Sequence, residues 1–401
     1  MFKYIKEIPP TAGFALSARD FLPLPGSLER DFQGYLGAAK AKITYSGTAA
    51  FYFILESLKE LSSKATVVIP AYVCPLLPIA IHRAGLKIQV CDINQDNFDY
   101  DCRKLENICA ANKDILAITA VHLAGLPINV NKIKEISQKQ GAFLIEDCAQ
   151  SLGSRYQDGL TGTFGDFSFF SLCRGKGLTI YEGGAAIVNK KEYVCILENK
   201  IKQLSRKDIV SELVKIIEVF GYWVFYRPQL FWFIFSLPQE FWKIKGDKIR
   251  AAIEYFDFNF PIHKVSAFRQ KIGHAQFSRL ESEIKKQRQK AAVYLEGLSN
   301  TPGIRLVKEE DGCQSSYPYL TLVFQESRRR DAVLHKLRNS GLGGSQIYAC
   351  AICDYEYLKP ILSSGEFPNA RFMADHSLTL STSVFLKEKD MLEIIRIVKL
   401  Q

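Results

Sequence analysis

The chain has 401 residues, of which 47% are hydrophobic and 23% charged, and its 52 basic and 42 acidic side chains give a formal net charge of +10. This composition describes an ordered globular protein long enough for about two domains, and it excludes disorder, collagen and low-complexity sequence. The basic side chains are spread along the chain without a nucleic-acid-binding motif, so we expect no nucleic-acid partner.

The first ten residues lack the apolar stretch of a signal peptide, which predicts a cytoplasmic protein. We therefore expect the ten cysteines to be free thiols, because disulfides rarely persist in that compartment. The one close pair, Cys350 and Cys353, has no second pair of ligands at the spacing of a four-ligand zinc site. We predict no metal site.

Between Lys42 and Asn189, short β-rich runs alternate with helical stretches, which is the order of a parallel sheet flanked by helices. The apolar positions within each run are continuous rather than alternating, as is typical of strands buried on both faces. Helices are predicted over Thr48–Glu60 and Lys132–Gln140. The strand candidates are Ala65–Pro70, Lys87–Asp92, Ile115–Val121 and Ala142–Asp147.

Residues 200–250 break this alternation. The stretch from Phe220 to Trp242, called the aromatic segment below, has 11 aromatic side chains in 23 residues and all three tryptophans of the chain. Its longest apolar runs are shorter than the ~20 residues needed to cross a bilayer. Arg227-Pro228-Gln229 divides those runs, which predicts a helical hairpin or a pair of short helices.

From Val265 the chain becomes helical and charged, and it then shows strand candidates at Tyr317–Phe324 and Ser377–Leu380 and a helix from Lys387. We therefore predict a large α/β domain over residues 1–255, with the aromatic-rich insertion at about 205–250. The smaller C-terminal domain, of α+β type, is expected over residues 256–401.

Asp147 and Lys176, which each follow a predicted buried strand, are candidate site residues. Asp147 ends a strand and so lies at the carboxyl edge of the sheet, where open α/β folds bind ligands, although it could instead cap the next helix. Lys176 stands between two glycines, which clear side-chain bulk from around its amine. The turn Glu182-Gly183-Gly184 and an apolar strand follow, so Lys176 is expected in ordered structure.

Short motifs in a fixed order along the chain connect these residues. They are Pro9–Gly13, Ser46–Ala49, Pro70–Tyr72, Asp147 with Gln150, Ser171 with Lys176, Glu182–Gly184, Gly341–Ser345 and Leu378–Thr382. Together they resemble the DegT/DnrJ/EryC1/StrS family of sugar aminotransferases. The resemblance implies fold type I, that of aspartate aminotransferase, with pyridoxal 5'-phosphate (PLP) as cofactor.

The resemblance also implies a role for each matched residue of the ring site. Lys176 would bind the PLP aldehyde covalently as a Schiff base and then move the proton as general base. Asp147 would pair with the pyridinium nitrogen and keep it protonated. Gln150 would hydrogen-bond the phenolic oxygen of the ring or lie against the adjacent face. For the residue that stacks on the ring we take Tyr72 over Cys74, with a core tyrosine as the alternative.

The cofactor phosphate is implied to lie at the start of the first predicted helix, where backbone N–H groups and the helix dipole favour an anion. The matching residues are Ser46, Gly47, Thr48 and Ser171. Relatives also contribute an Asn from the neighbouring subunit to the phosphate, and Asn259 in Phe258-Asn259-Phe260-Pro261 is the position here that comes near that motif.

The function implied is transfer of an amino group from an amino acid, expected to be glutamate, to a keto sugar, expected to be nucleotide-linked. The product would serve surface polysaccharide or secondary-metabolite biosynthesis, and the enzyme would be a homodimer. Two alternatives stay open: an aminotransferase for a non-nucleotide cyclic ketone, and a non-catalytic scaffold of the same fold at a membrane surface. Some relatives carry His in place of the lysine and catalyse dehydration, and Lys176 argues against that reaction.

The aromatic segment, residues 220–242, is expected either to be buried in the dimer or against the small domain, or to make peripheral contact with an anionic membrane. The second alternative rests on flanking positive charge. The basic residues concerned are Lys202, Arg206, Lys207, Lys215, Lys243, Lys245, Lys248 and Arg250.

Overall fold

The computed structural model describes residues 6–22, 24–246, 249 and 254–400. Its helices are α1 (Leu28–Leu36), α2 (Gly47–Leu61), α3 (Leu76–Arg83), α4 (Cys102–Ala111), α5 (Val130–Lys139), α6 (Val194–Leu204), α7 (Ile209–Phe225), α8 (Phe231–Ile234), α9 (Ser236–Ile244), α10 (Ala267–Phe277), α11 (Leu280–Leu298), α12 (Ser327–Asn339), α13 (Pro368–His376) and α14 (Glu388–Leu400). Its strands are β1 (Lys40–Thr44), β2 (Thr66–Pro70), β3 (Lys87–Cys91), β4 (Ile115–Val121), β5 (Phe143–Asp147), β6 (Arg155–Tyr156), β7 (Gly159–Leu160), β8 (Phe167–Ser171), β9 (Gly184–Val188), β10 (Ile304–Val307), β11 (Cys313–Gln314), β12 (Tyr319–Phe324) and β13 (Ser377–Ser381).

The central sheet has seven strands in the order β1-β9-β8-β5-β4-β2-β3. Neighbours from β3 to β8 pair in parallel, whereas β9 is antiparallel to β8 and β1. In this register Val121 lies opposite Asp147, and Asp147 lies opposite Phe169. The carboxyl ends of β4, β5 and β8 therefore open on one edge of the sheet, which is where ligands of such folds bind.

Helices cover both faces of this sheet. Val67 and Ile69 of β2 pack in the same hydrophobic cluster as residues of α2 and α3, whereas Val68 packs with residues of α4 and α5. Successive residues of a strand point to opposite faces, so both faces of β2 are buried. The predicted α/β class, with a mostly parallel sheet flanked by helices, is confirmed.

Predicted element boundaries differ from the observed ones by a residue or two, for local reasons. The helix expected from Lys132 begins at Val130, because the side chain of Asn129 accepts a hydrogen bond from the Lys132 N–H and so caps it. The strand expected from Tyr317 begins at Tyr319, because Tyr317 has φ +46°, outside the β region, and is followed by Pro318.

The C-terminal part contains a three-stranded antiparallel sheet, β10-β12-β13, against which α11, α12 and α13 pack. Mixed helices and antiparallel strands match the α+β character expected there. The division into domains at residue 255 stays a prediction.

The aromatic segment is divided at Arg227–Gln229, as its sequence predicts, but it contributes to three helices rather than two, because α9 begins at Ser236. Helix α7 ends at Phe225 and α8 begins at Phe231, on either side of Arg227–Gln229. Helix α7 begins at Ile209, well before the aromatic run. In the described part of the chain, every helix is too short or too polar to pass through a bilayer. The predicted basic residues Lys248 and Arg250 lie outside the described residues.

Candidate active site

Asp147 is the last residue of β5 and its side chain is buried at the carboxyl edge of the sheet. Its Oδ1 accepts a hydrogen bond from the Ala149 N–H at 2.9 Å. Burial raises the pKa of the carboxyl to about 6, against the opposing effects of that hydrogen bond and of the charge on Lys176. The next regular element is β6, so Asp147 does not cap a helix.

Lys176 lies in the loop between β8 and β9. Burial lowers the pKa of its ammonium group, while the nearby side chains of Cys74, Cys173 and Asp147 act in the opposite direction. At the sheet edge, the charges of Lys176 and Asp147 thus each act on the pKa of the other. A lowered pKa increases the share of neutral amine, which is the form that attacks an aldehyde or accepts a proton.

The N-terminal segment holds the lysine loop in place. The Thr11 hydroxyl donates to the Gly175 carbonyl at 2.6 Å, and the Phe14 N–H donates to the Gly177 carbonyl at 3.0 Å. A Cβ on Gly13 would lie 2.8 Å from the Cα of Gly175. The two backbones therefore touch, which explains why a glycine ends the Pro9–Gly13 motif.

Two tyrosines at the end of α7, Tyr222 within the helix and Tyr226 directly after it, contact that N-terminal segment from the other side. The hydroxyl of Tyr222 donates to the Phe14 carbonyl, and the hydroxyl of Tyr226 donates to the Thr11 carbonyl, each at 3.3 Å. Both rings are buried. The inner part of the aromatic segment therefore belongs to the support of the lysine loop.

A buried ion pair ties α7 to the turn before β9. The guanidinium of Arg269, on α10, is fully buried and donates to Glu212 of α7, with Nε to Oε2 at 3.1 Å. The same guanidinium donates to the carbonyl groups of Ile180 and Glu182. Removal of either charge would leave the other uncompensated in the core, so this pair fixes the turn against α7 and α10.

The start of α2 has the features of an anion site. Ser46 caps the helix, its hydroxyl accepting from the Ala49 N–H at 3.0 Å, and the other first-turn N–H groups, those of Gly47 and Thr48, have no intrahelical acceptor. Ser171 is adjacent, because a Cβ on Gly47 would lie 3.3 Å from the Ser171 Cβ. A Cβ on Gly184 would lie 2.4 Å from the Gly47 nitrogen. Glycines thus let β9 and Ser171 approach the helix start.

These three features fit PLP by the chemistry of their donors. A buried amine suits the aldehyde, a buried carboxylate suits the ring nitrogen, and a capped helix N-terminus with a hydroxyl beside it suits the phosphate. The predicted residues Ser46, Gly47, Thr48 and Ser171 are brought together, as are Lys176 and Asp147.

Comparison with known proteins identifies the family. Residues 23–222 and 239–399 match the DegT/DnrJ/EryC1/StrS aminotransferase family. The protein belongs to this family. The predictions of fold type I, of an aminotransferase and of PLP as its cofactor are therefore confirmed. The unmatched residues 223–238 lie within the aromatic segment.

Relatives are distant but cover most of the chain. A UDP-4-amino-4,6-dideoxy-N-acetyl-beta-L-altrosamine transaminase of Campylobacter jejuni is 24% identical over 359 residues, 88% of this chain and 84% of its own. A GDP-4-keto-6-deoxy-D-mannose 3-dehydratase of Yersinia pseudotuberculosis is 26% identical over 78% of this chain and 74% of its own. The structure of PseC, a Helicobacter pylori aminotransferase involved in pseudoaminic acid biosynthesis, superposes with a TM-score of 0.75 at 16% identity, covering 98% of each chain.

Within this family site, Tyr72 is not placed as expected. Its ring is fully buried, stacked on Phe98 and edge-on to Tyr348, and its hydroxyl exchanges hydrogen bonds with the Tyr348 backbone at 3.2 Å. This is the position of a core tyrosine. Cys74 is the other candidate, and the charges of Lys176 and Asp147 act on the pKa of its thiol.

Gln150 and Asn259 lie in different surroundings. The Gln150 carbonyl accepts from the Ala124 N–H at 2.9 Å and from the Tyr319 hydroxyl, and its amide donates to the Tyr348 hydroxyl at 3.4 Å. Asn259 is exposed in a loop. Tyr319 and Tyr348 are functional candidates that sequence reasoning missed, because both come from the C-terminal part and meet Gln150 only in the fold.

His122 lies in the core beneath the site. Its Nδ1 accepts from the Ile128 N–H at 3.2 Å, so Nε2 carries the proton that it shares with Glu146 at 3.0 Å. With Cys148 these side chains have metal-ligand chemistry, but both Glu146 oxygens accept hydrogen bonds from the N–H groups of the loop at residues 162–165. We assign His122 and Glu146 to the support of that loop.

Proposed function

We propose that this enzyme transfers the amino group of an amino acid, glutamate as the expected donor, to a nucleotide-linked keto sugar. The product would serve a surface polysaccharide or a secondary metabolite. The observation that carries the proposal is the buried pair of Lys176 and Asp147 at the sheet edge, with the capped start of α2 beside it. The names of the Campylobacter and Helicobacter relatives support the sugar.

PLP, when bound, supplies an electron sink that makes the α-proton of the amino acid acidic. Lys176 would hold the cofactor covalently, and its amine, made less basic by burial, would then accept and return that proton at Nζ. Asp147 would keep a proton on the ring nitrogen. The helix start at Gly47 and the hydroxyl of Ser171 would orient the group through its phosphate.

Lys176 also separates transamination from the other reaction found among relatives. The Yersinia relative is a dehydratase by name, whereas a lysine amine both releases the amino product and moves the proton, as transamination requires. The retained Lys176 and Asp147 likewise disfavour a non-catalytic scaffold. A non-nucleotide cyclic ketone is disfavoured because the named relatives act on nucleotide-linked sugars.

We propose that the enzyme works as a homodimer in the cytoplasm. Exposure of Asn259 in its loop is what a residue that reaches a neighbouring subunit needs. We further propose that Cys74, rather than Tyr72, faces the cofactor ring, because it shares the electrostatic environment of Lys176 and Asp147. Gln150, held by Tyr319 and Tyr348, would lie beside it.

The experiment is product analysis by mass spectrometry. PLP-loaded enzyme is incubated with glutamate and a panel of nucleotide-linked keto sugars, and one amino sugar should form for each 2-oxoglutarate released. Lys176→Ala is the matched control and should give neither product. Release of a deoxygenated sugar without nitrogen, or amination of a cyclic polyol ketone but of no nucleotide-linked sugar, would contradict the proposal.

A further inference from the structure

The outer side of helices α7 to α9 carries a large apolar surface. Of the 18 large apolar side chains that are exposed in the described chain, 13 lie between Ile209 and Ile244. Val210 is 74% exposed, Ile217 70% and Ile244 87%. We call these exposed side chains of residues 209–244 the outer apolar face.

On α7 the outer apolar face is one stripe of the helix. Five of its members follow one another at intervals of three or four residues, which places them on one side of an α-helix: Val210, Leu213, Ile217, Phe220 and Val224. Ile209, Val214 and Phe225 flank this row. The opposite side holds Glu212, Val219 and Tyr222, which are buried against the protein.

The charged residues of α7 are turned away from this stripe. Glu212 is paired with Arg269 in the core, and Lys215 bridges Glu182 at 2.7 Å and Glu218 at 2.8 Å. The stripe therefore runs without charge along a helix of 17 residues, about 25 Å. Soluble proteins rarely expose an apolar patch beyond about 300–600 Å² unless it binds something.

Part of the outer apolar face lies outside the family match, whereas its members on α7 up to Phe220 lie inside it. Residues 223–238, which supply the break and α8, fall outside the family match. The buried rings of Tyr222 and Tyr226 account for the inner side of this region, but not for the outer one. The support of the lysine loop therefore does not explain the exposed side chains.

Positive charge surrounds the outer apolar face. Lys202, Arg206 and Lys207 are exposed before α7, Arg227 is exposed at the break, and Lys245 follows α9 and lies over the ring of Phe241 at 4.3 Å. Between residues 200 and 245 the sequence has eight basic and four acidic side chains. Two of those acidic residues, Glu212 and Glu218, are already paired with basic groups.

An apolar face rimmed by positive charge matches an anionic phospholipid surface. In a two-fold contact between copies, the same patch meets itself, so the basic rims would repel each other. We propose that the outer apolar face docks this enzyme on an anionic bilayer, with α7 lying in the plane of the interface. The proposal goes beyond the reaction, because it needs no particular substrate.

Flotation of the PLP-loaded full chain tests this directly. With vesicles of phosphatidylglycerol and phosphatidylcholine at low salt the protein should float, and with phosphatidylcholine alone the floating fraction should fall several-fold. Each basic residue near an anionic surface contributes about 1 kcal/mol, so Arg206→Ala should weaken partitioning about fivefold. Raised salt should act in the same direction.

The decisive variant is the double substitution Val210→Glu with Ile217→Glu, which should reduce flotation at least tenfold. Both side chains are mostly exposed, so the fold and the half-reaction with glutamate should be unchanged. The matched control is Leu392→Glu, on α14 and outside residues 209–244, whose side chain is 57% exposed and which should float like the wild type.

Two results would overturn the proposal. One is wild-type protein that stays in the soluble fraction with anionic vesicles at low salt. The other comes from sedimentation: if Val210→Glu with Ile217→Glu converts a dimer to monomers, the outer apolar face is an interface between copies of the chain.

Discussion

The sheet edge and helix α7 differ in how they use apolar burial. At the sheet edge, burial acts on charged groups: it raises the pKa of Asp147 to about 6 and lowers that of Lys176, and so prepares both for chemistry. In α7, burial is restricted to one side. Tyr222 and Tyr226 are buried and support the lysine loop, whereas Val210 and Ile217 are mostly exposed. Burial therefore changes the chemistry of the groups at the sheet edge, whereas in α7 it covers only one side of the helix.

The difference teaches that a hydrophobic segment can serve two purposes at once. The hydroxyls of Tyr222 and Tyr226 reach the N-terminal segment that holds Gly175 and Gly177, so the inner side supports the lysine loop. On the outer side, Val210 and Ile217 remain mostly exposed. Substitutions on the two sides should therefore have opposite consequences.

The largest effect is expected from truncating the inner side. Tyr226→Ala removes a buried ring and its hydrogen bond to Thr11, and should lower the free energy of unfolding by about 3–5 kcal/mol. Ile217→Ala, on the outer side of the same helix, should change it by less than about 0.5 kcal/mol. Urea unfolding measures both. Equal losses would show that the two sides of α7 are not different.

At the sheet edge, Asp147→Asn keeps the shape of the side chain and removes its charge. The expected loss in turnover is about 10²–10³-fold, the size found when one preorganised electrostatic group is removed. Thermal stability should be kept or raised, because a buried charge is lost. Single-turnover kinetics with glutamate measures the effect, and near-normal turnover would mean that another acid serves the ring.

Gly184→Ala tests the approach of β9 to the start of α2. The added Cβ would lie 2.4 Å from backbone atoms of Ser46 and Gly47, so the helix start must move. At the usual overpacking cost of about 1–3 kcal/mol, PLP affinity should fall roughly tenfold or more. Gly34→Ala, in α1 with open space around it, is the control and should leave PLP affinity unchanged.

The smallest effect concerns Glu254, which joins the chain after the aromatic segment to the C-terminal part. Its buried carboxylate accepts from the Ala349 N–H at 3.0 Å and from the Tyr355 hydroxyl. Burial raises the pKa of Glu254 from 4.5 to about 7, although both hydrogen bonds act against that shift. Between these values the folded state binds a proton that the unfolded chain has released, so stability falls as pH rises.

Glu254→Gln cannot titrate and should lose that part of the pH dependence. Its free energy of unfolding, relative to the wild type, should rise by about 1–3 kcal/mol between pH 4.5 and 7.5. Urea unfolding across this range checks the slope. A constant difference between the two proteins would show that the Glu254 carboxyl keeps its ordinary pKa in the fold.

Local signals made part of this molecule predictable. The strands of the central sheet are continuous apolar runs, and Lys176 and Asp147 stand in short motifs beside them, so both could be placed from sequence. Contacts between residues distant along the chain could not be predicted from the sequence. Tyr319 and Tyr348 reach Gln150 from the C-terminal part, and Arg269 pairs with Glu212 through packing that leaves no local pattern.

The sequence also could not decide which of two neighbouring residues faces the cofactor ring. Tyr72 and Cys74 are two residues apart, and the sequence offers an aromatic side chain at only one of them. The structure turns Tyr72 towards Tyr348 and Phe98, because its hydroxyl finds backbone partners there. Which of the two residues faces the cofactor ring stays a prediction.

The central claim is that Lys176 holds PLP, and reduction with borohydride tests it most directly. The PLP-loaded enzyme is reduced, digested and mapped by mass spectrometry. We predict loss of the visible absorption band and a pyridoxyl group on the peptide that contains Lys176, with no such label in Lys176→Ala. Label on another lysine, for example Lys290, whose pKa burial lowers to about 8, would contradict the assignment of the site.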